Sequence, residues 1–223
     1  MRNGGKKEKV TEEHIVFSSS GLKLEGIIHL PKCDTALPAV VICHPHPLHG
    51  GDMHNNVVMA ITAALAEIPM AALRFNFRGV GGSEGEYDEG NGEQDDVVAA
   101  LAFLESLGSI DRSRIGLAGY SFGAKAALPV ALRQRNVQAV ALVSPFLADV
   151  EWERLKSYAT PKLFLCGSED GFIAARKVQR LAAELPGISR CEIIAGADHF
   201  WWGYEARVAE KVASFLKVVL QTE

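Results

Sequence analysis

The chain has 223 residues, 48% hydrophobic and 22% charged, with a formal net charge of −4. That supports one substantial core and a single domain over residues 10–223, with Lys6-Lys7-Glu8-Lys9 in a solvated, mobile tail over residues 1–9. No Lys/Arg stripe marks a nucleic-acid partner, and neither an h-region after Met1 nor a membrane-length apolar run marks a membrane partner, so a cytoplasmic location is expected.

In chain order, Ile15-Val16-Phe17 and Leu24–Leu30 read as an antiparallel pair joined by Ser20-Gly21. The fully apolar Ala39-Val40-Val41-Ile42-Cys43 has the composition of a strand buried on both faces. A helix over Asn56–Glu67 precedes a strand over Ala71–Phe75. After a glycine-rich loop, residues Asp95–Leu107 repeat apolar side chains at helical spacing, and Gly108 and Asp111 punctuate the approach to a strand at Ile115–Ala118. A helix follows Ser121, then come the strand Ala139–Val143 and two more strands, Leu163–Cys166 and Cys191–Ile194, each followed by a helix. Such alternation predicts a mostly parallel sheet covered by helices on both faces. The four cysteines, Cys33, Cys43, Cys166 and Cys191, are scattered, and three lie in or at the ends of apolar runs, so reduced thiols are expected rather than disulfides or a metal site.

The strand at Ile115–Ala118 runs into Gly119-Tyr120-Ser121-Phe122-Gly123, a Gly-x-Ser-x-Gly pentapeptide. A serine there sits on a sharp strand-to-helix turn with its side chain outward, and the flanking glycines avoid a clash of Cβ atoms with neighbouring backbone. The helix that follows aims its free N–H groups at the same point, an arrangement that favours an anion. Asp170, in Gly167-Ser168-Glu169-Asp170-Gly171, and His199, in Ala195-Gly196-Ala197-Asp198-His199, also stand just past strand ends. In a parallel sheet those ends share one edge, where sites are built. Glu169, Asp149 and Asp198 compete with Asp170 for the acid role: Asp149 follows the preceding strand, whereas Asp198 points away if His199 points in.

With its serine, acid and histidine in that order, the chain resembles the α/β-hydrolases, in particular the small dienelactone-hydrolase-like and lidless carboxylesterase-like branches, from about Val10 to Leu220. Asn76-Phe77-Arg78-Gly79-Val80-Gly81-Gly82-Ser83 is similar to the Arg-Gly-x-Gly-x-Ser loop of many members. His44-Pro45-His46-Pro47-Leu48-His49-Gly50-Gly51 stands where the family places its oxyanion loop, but departs from the His-Gly-Gly-Gly form. The resemblance implies an acyl-transfer mechanism on small ester-type substrates, with Ser121 as nucleophile, His199 as base and Asp170 orienting the imidazole. It assigns one oxyanion donor to the Phe122 N–H; His46 or Leu48 gives the second, with His46 preferred by position. It requires no cofactor and no metal.

Only about eighteen residues separate Val143 from Lys162, too few for a helical cap, so an open site without a cap domain is expected. Phe146, Trp152, Phe172 and Trp201, with Phe200 and Trp202, stand on loops near the catalytic edge and are the candidate substrate-binding residues. Two rival readings remain. His44, His46, His49, Asp52 and His54 crowd into eleven residues, which suggests a metal-dependent hydrolase built on His44, His46 and Asp52, although Leu48 interrupts the usual His/Asp spacing. A non-catalytic binding protein of the same fold would have no need of all three groups. A dinucleotide site at Gly79–Gly85 is not expected, because Tyr87–Gly92 follows it instead of a helix. A small-molecule substrate is the expected partner, and the sequence leaves the oligomeric state open.

Overall fold

The computed structural model describes residues 10–221; the expected tail, residues 1–9, lies outside the described residues. Strands β1 (Val10–Ser19) and β2 (Leu22–Pro31) form the expected antiparallel hairpin. Ser20 and Gly21 both have positive φ (49° and 86°), the turn geometry whose twist matches that of the flanking strands.

β2 then pairs antiparallel with β4 (Ala71–Phe75). From β4 onward the pairing is parallel throughout, through β3 (Leu37–Cys43), β5 (Ile110–Tyr120), β6 (Val137–Val143), β7 (Lys162–Gly167) and β8 (Ser189–Ile194). The strand order is β1-β2-β4-β3-β5-β6-β7-β8. Every residue of β3 is buried, as its uninterrupted apolar run predicts for a strand covered on both faces.

Helices α1 (Asn56–Ala66) and α6 (Glu205–Leu220) bury Val57, Ile61, Leu65, Val208, Val212 and Leu216 against one face of the sheet. The other face is covered by α2 (Gly92–Ser106), α3 (Phe122–Ala131), α4 (Asp149–Leu155) and α5 (Ala175–Ala183), which contribute Val97, Leu101, Leu128, Trp152 and Val178 to a second core. This is the α/β-hydrolase architecture. Between β6 and β7 the chain holds only the seven-residue α4. Its Trp152 stacks on Phe164, with ring centroids 5.3 Å apart, so the insertion packs down onto the sheet and forms no cap.

Most strands run a few residues longer than the apolar runs that mark them, and two boundary differences have a local cause. Asp111 lies inside β5: the register with β3 jumps from Leu37↔Ile110 to Ala39↔Ile115, so the polar stretch between them bulges without ending the strand. Helix α2 starts at Gly92, three residues earlier than its apolar periodicity suggests. Asp88 accepts the Gly92 N–H at 2.9 Å, and Glu93 and Asp95 place acidic side chains in the first turn, where the helix dipole favours them. Among the described residues no helix is long and apolar enough to cross a membrane.

Candidate active site

Ser121 sits between β5 and α3 with φ 53° and ψ −112°, a region that side chains other than glycine rarely occupy. Its N–H donates to Val143 O on the neighbouring strand at 2.9 Å. A Cβ at Gly119 would lie 2.5 Å from Gly123 O, and one at Gly123 would lie 2.2 Å from Cys43 O. Both glycines are therefore required for the turn to close. The Phe122 N–H opens the first turn of α3, where no residue of the helix can accept it.

The ends of β7 and β8 bring two more groups to this point. Ser121 Oγ lies 3.0 Å from His199 Nε2, and His199 Nδ1 lies 2.9 Å from Asp170 Oδ2. Since Asp170 can only accept, the imidazole carries its proton on Nδ1 and offers the Nε2 lone pair to the serine. The Asp170 side chain is fully buried. Burial alone would raise its pKa, but hydrogen bonds from His199, from Ser144 Oγ (2.8 Å) and from the Phe172 N–H (2.9 Å) outweigh this and hold it below its ordinary value. It stays a carboxylate. The competing acids are elsewhere: Asp149 is exposed and 3.7 Å from Lys177, Glu169 is exposed, and Asp198 turns back to accept the Phe200 and Trp201 N–H groups.

After β3, the buried His44 fixes the next loop. Its Nε2 accepts the Phe77 N–H at 3.1 Å, so Nδ1 must be the protonated nitrogen that donates to Pro45 O at 2.7 Å. Burial pushes its pKa down to about 4, and the ring is neutral. The Pro45 carbonyl and the His46 N–H belong to one trans peptide and point opposite ways, so His44 also sets the direction of the His46 N–H. The Leu48 N–H is occupied, donating to His46 Nδ1 at 3.2 Å. A Cβ at Gly51 would fall 2.2 Å from Pro45 O.

With both nitrogens of His44 engaged in backbone hydrogen bonds, the proposed metal set loses a ligand. Asp52 caps the His54 N–H, and His54 Nδ1 faces Arg74 Nη1 at 3.2 Å. Among the described residues no three His, Cys, Asp or Glu side chains converge in a way that would hold a metal ion.

Residues 87–213, more than half of the chain, match the dienelactone hydrolase family. The chain belongs to that family. A solved α/β serine hydrolase homologue from Coxiella burnetii is 34% identical, with a TM-score of 0.81 over 91% of this chain and 96% of that one. A lidless α/β serine hydrolase from Xanthomonas campestris is 25% identical, with a TM-score of 0.79 over 95% and 96% of the two chains. An uncharacterised protein of Rickettsia prowazekii is 34% identical over 172 residues, 74% of this chain and 72% of its own length. These likenesses make the protein a hydrolase.

In this dienelactone hydrolase family member, Ser121 and His199 open onto a cleft of about 640 Å³. Phe146, Phe172 and Phe200 contribute apolar lining and His46, His49 and Lys125 polar lining. Phe146 and Phe172 thus line the cleft. Trp152 and Trp201 do not, which corrects the expectation that they line the pocket. Trp152 is buried under α4, and the fully buried Trp201 donates its Nε1–H to Ser144 Oγ at 3.1 Å. Ser144 and Tyr120 were missed as supports of the site: Ser144 holds Asp170, and Tyr120 Oη donates to the His199 carbonyl at 2.6 Å. The signal was present for both, since Ser144 follows an apolar strand at the catalytic edge and Tyr120 adjoins the nucleophile.

Proposed function

We propose that the protein hydrolyses small, soluble carboxylic esters through an acyl-enzyme on Ser121. The observation that carries this reading is the continuous relay from Ser121 Oγ to His199 Nε2 (3.0 Å) and from His199 Nδ1 to Asp170 (2.9 Å), with each member on a different strand end. His199 takes the serine proton as Oγ attacks the carbonyl carbon, then returns it to the leaving alkoxide. A water activated by the same imidazole releases the acid. Asp170 keeps the imidazole in its Nδ1–H tautomer and stabilises the imidazolium.

The developing oxyanion is received by the N–H groups of Phe122 and His46. Leu48 is the weaker choice because its N–H is already spent on His46 Nδ1. Removing one such donor typically costs about 3–4 kcal/mol of transition-state stabilisation. Hydrolysis of p-nitrophenyl acetate by wild type and Ser121→Ala, with and without chelator, tests the reading. Activity lost in the alanine variant and indifferent to chelator is the expected result; turnover retained by Ser121→Ala would refute it.

A further inference from the structure

The loop that carries the His46 N–H is folded onto His46 itself. The carbonyl of His46 accepts the N–H groups of His49 (3.1 Å) and Gly51 (3.0 Å), and its Nδ1 accepts that of Leu48 (3.2 Å). One residue therefore receives three backbone donors from the five positions that follow it. Two of these bonds are indifferent to pH. The third requires a lone pair on Nδ1, because a backbone N–H can only donate. The neutral ring must then carry its proton on Nε2, which faces the Tyr87 hydroxyl at 3.4 Å. The same ring packs 5.0 Å from the ring of Phe122, whose N–H is the other oxyanion donor.

We propose that the His46 imidazole is a proton-sensitive brace of the oxyanion loop: uptake of a proton on Nδ1 replaces the Leu48 N–H···N attraction with two opposed N–H groups and loosens the loop, which its two carbonyl hydrogen bonds still hold. The inference rests on the serine-hydrolase reading and adds to it a second histidine whose neutral form speeds turnover. His46 is a positioning residue here, distinct from His199, which exchanges the proton with substrate.

The charged and titratable groups facing the ring come from every side of the cleft. His49 in the Pro47–His49 turn and Lys125 on α3 both disfavour an imidazolium. Glu93 on α2 favours one, but its two oxygens are taken by the Asp88 and Gly90 N–H groups at 2.9 and 2.8 Å. Tyr87 contributes a neutral hydroxyl. With burial acting first and His49 and Lys125 adding to it, the pKa of His46 lies below its ordinary value. The brace is accordingly in place near neutrality and is lost on acidification.

The test is the second-order rate of fluorophosphonate labelling of Ser121 between pH 4.5 and 8 in wild type, His46→Asn and His46→Ala, with near-UV circular dichroism at each pH. Asparagine keeps an acceptor at the Nδ1 position, as in an Asx-turn, but does not titrate. In wild type the rate should fall about fivefold further between pH 8 and 4.5 than in His46→Asn, the worth of the lost Leu48 hydrogen bond, because the variant has no imidazole at this position to protonate. At pH 7.5 His46→Ala should label more slowly than His46→Asn by about fivefold, the worth of one backbone hydrogen bond. Parallel pH profiles in wild type and His46→Asn, or equal rates for the two variants at pH 7.5, would overturn the proposal. Should His46→Ala fail to fold, the pH profiles of wild type and His46→Asn decide alone. Absence of labelling in wild type at any pH would instead overturn the serine-hydrolase reading on which the brace rests.

Discussion

The indole of Trp201 and the hydroxyl of Ser144 form a hydrogen bond of 3.1 Å, and the same hydroxyl donates to Asp170 at 2.8 Å. Trp201 is two residues beyond His199 and Ser144 is one residue beyond β6, so this chain ties the histidine loop to the acid from behind. The carboxylate then receives Ser144 and His199 together, with the Phe172 and Ile173 N–H groups completing its coordination. Four donors on one fully buried carboxylate leave it little freedom to rotate away from the imidazole.

Ser144→Ala should therefore lower kcat by about ten- to a hundredfold, in line with the 1.5–3 kcal/mol of a hydrogen bond to a charged group, and should leave KM nearly unchanged. Trp201→Phe keeps the Ser144–Asp170 bond but empties part of a fully buried site. It should lower Tm more and kcat less than Ser144→Ala. Steady-state kinetics and thermal unfolding of both variants check this ranking.

Asp170→Asn should depress turnover by several orders of magnitude, because an amide in that position can present an N–H to Nδ1 and favour the wrong imidazole tautomer. Asp149→Asn should change turnover less than about twofold, since an exposed pair such as Asp149–Lys177 contributes little. The reverse ranking, measured under identical conditions, would move the acid to the end of β6.

Acid should destabilise the fold through His44. Its pKa is lowered by burial to about 4 in the folded chain, against about 6.5 for an unfolded histidine. Below pH 6.5 the unfolded state binds a proton that the folded state refuses, so the stability contributed by the buried neutral ring is complete above pH 6.5 and is lost as pH falls toward 4. At pH 5 the loss amounts to about 2 kcal/mol by linkage. Urea unfolding at pH 7.5 and pH 5.0 should show a drop of that order in wild type and a smaller pH dependence in His44→Gln.

Short acyl chains, about two to six carbons, should be the best substrates. The cleft is open to solvent, and Phe146 and Phe172 on its rim are 62% and 65% exposed. Methylenes beyond the rim would gain little of the roughly 0.8 kcal/mol that each buried CH₂ contributes. A series of kcat/KM values across chain lengths should peak early and show no jump when the substrate forms an emulsion.

Glycines made Ser121 and the strand ends before Asp170 and His199 legible in the sequence, since each group follows an apolar run broken by a glycine at the one sheet edge where such ends gather. The orientation of the supporting residues was not legible. Trp201 looks like a wall of the pocket until its φ of 62° is known; that backbone turn sends the indole inward beneath Asp170. Trp152 does carry a signal: with Leu155 it makes an i, i+3 pair of buried side chains on α4, the mark of a helix lying on a core. The role of Leu48 depended on a ring nitrogen of His46, which no spacing rule describes.

The most direct test of the account is labelling of the native protein with a fluorophosphonate, followed by intact-mass and peptide mapping. One adduct per chain, on Ser121 and absent from Ser121→Ala, is the predicted result. Rapid ester hydrolysis without any adduct on Ser121, or an adduct on another residue with turnover lost in step, would contradict it.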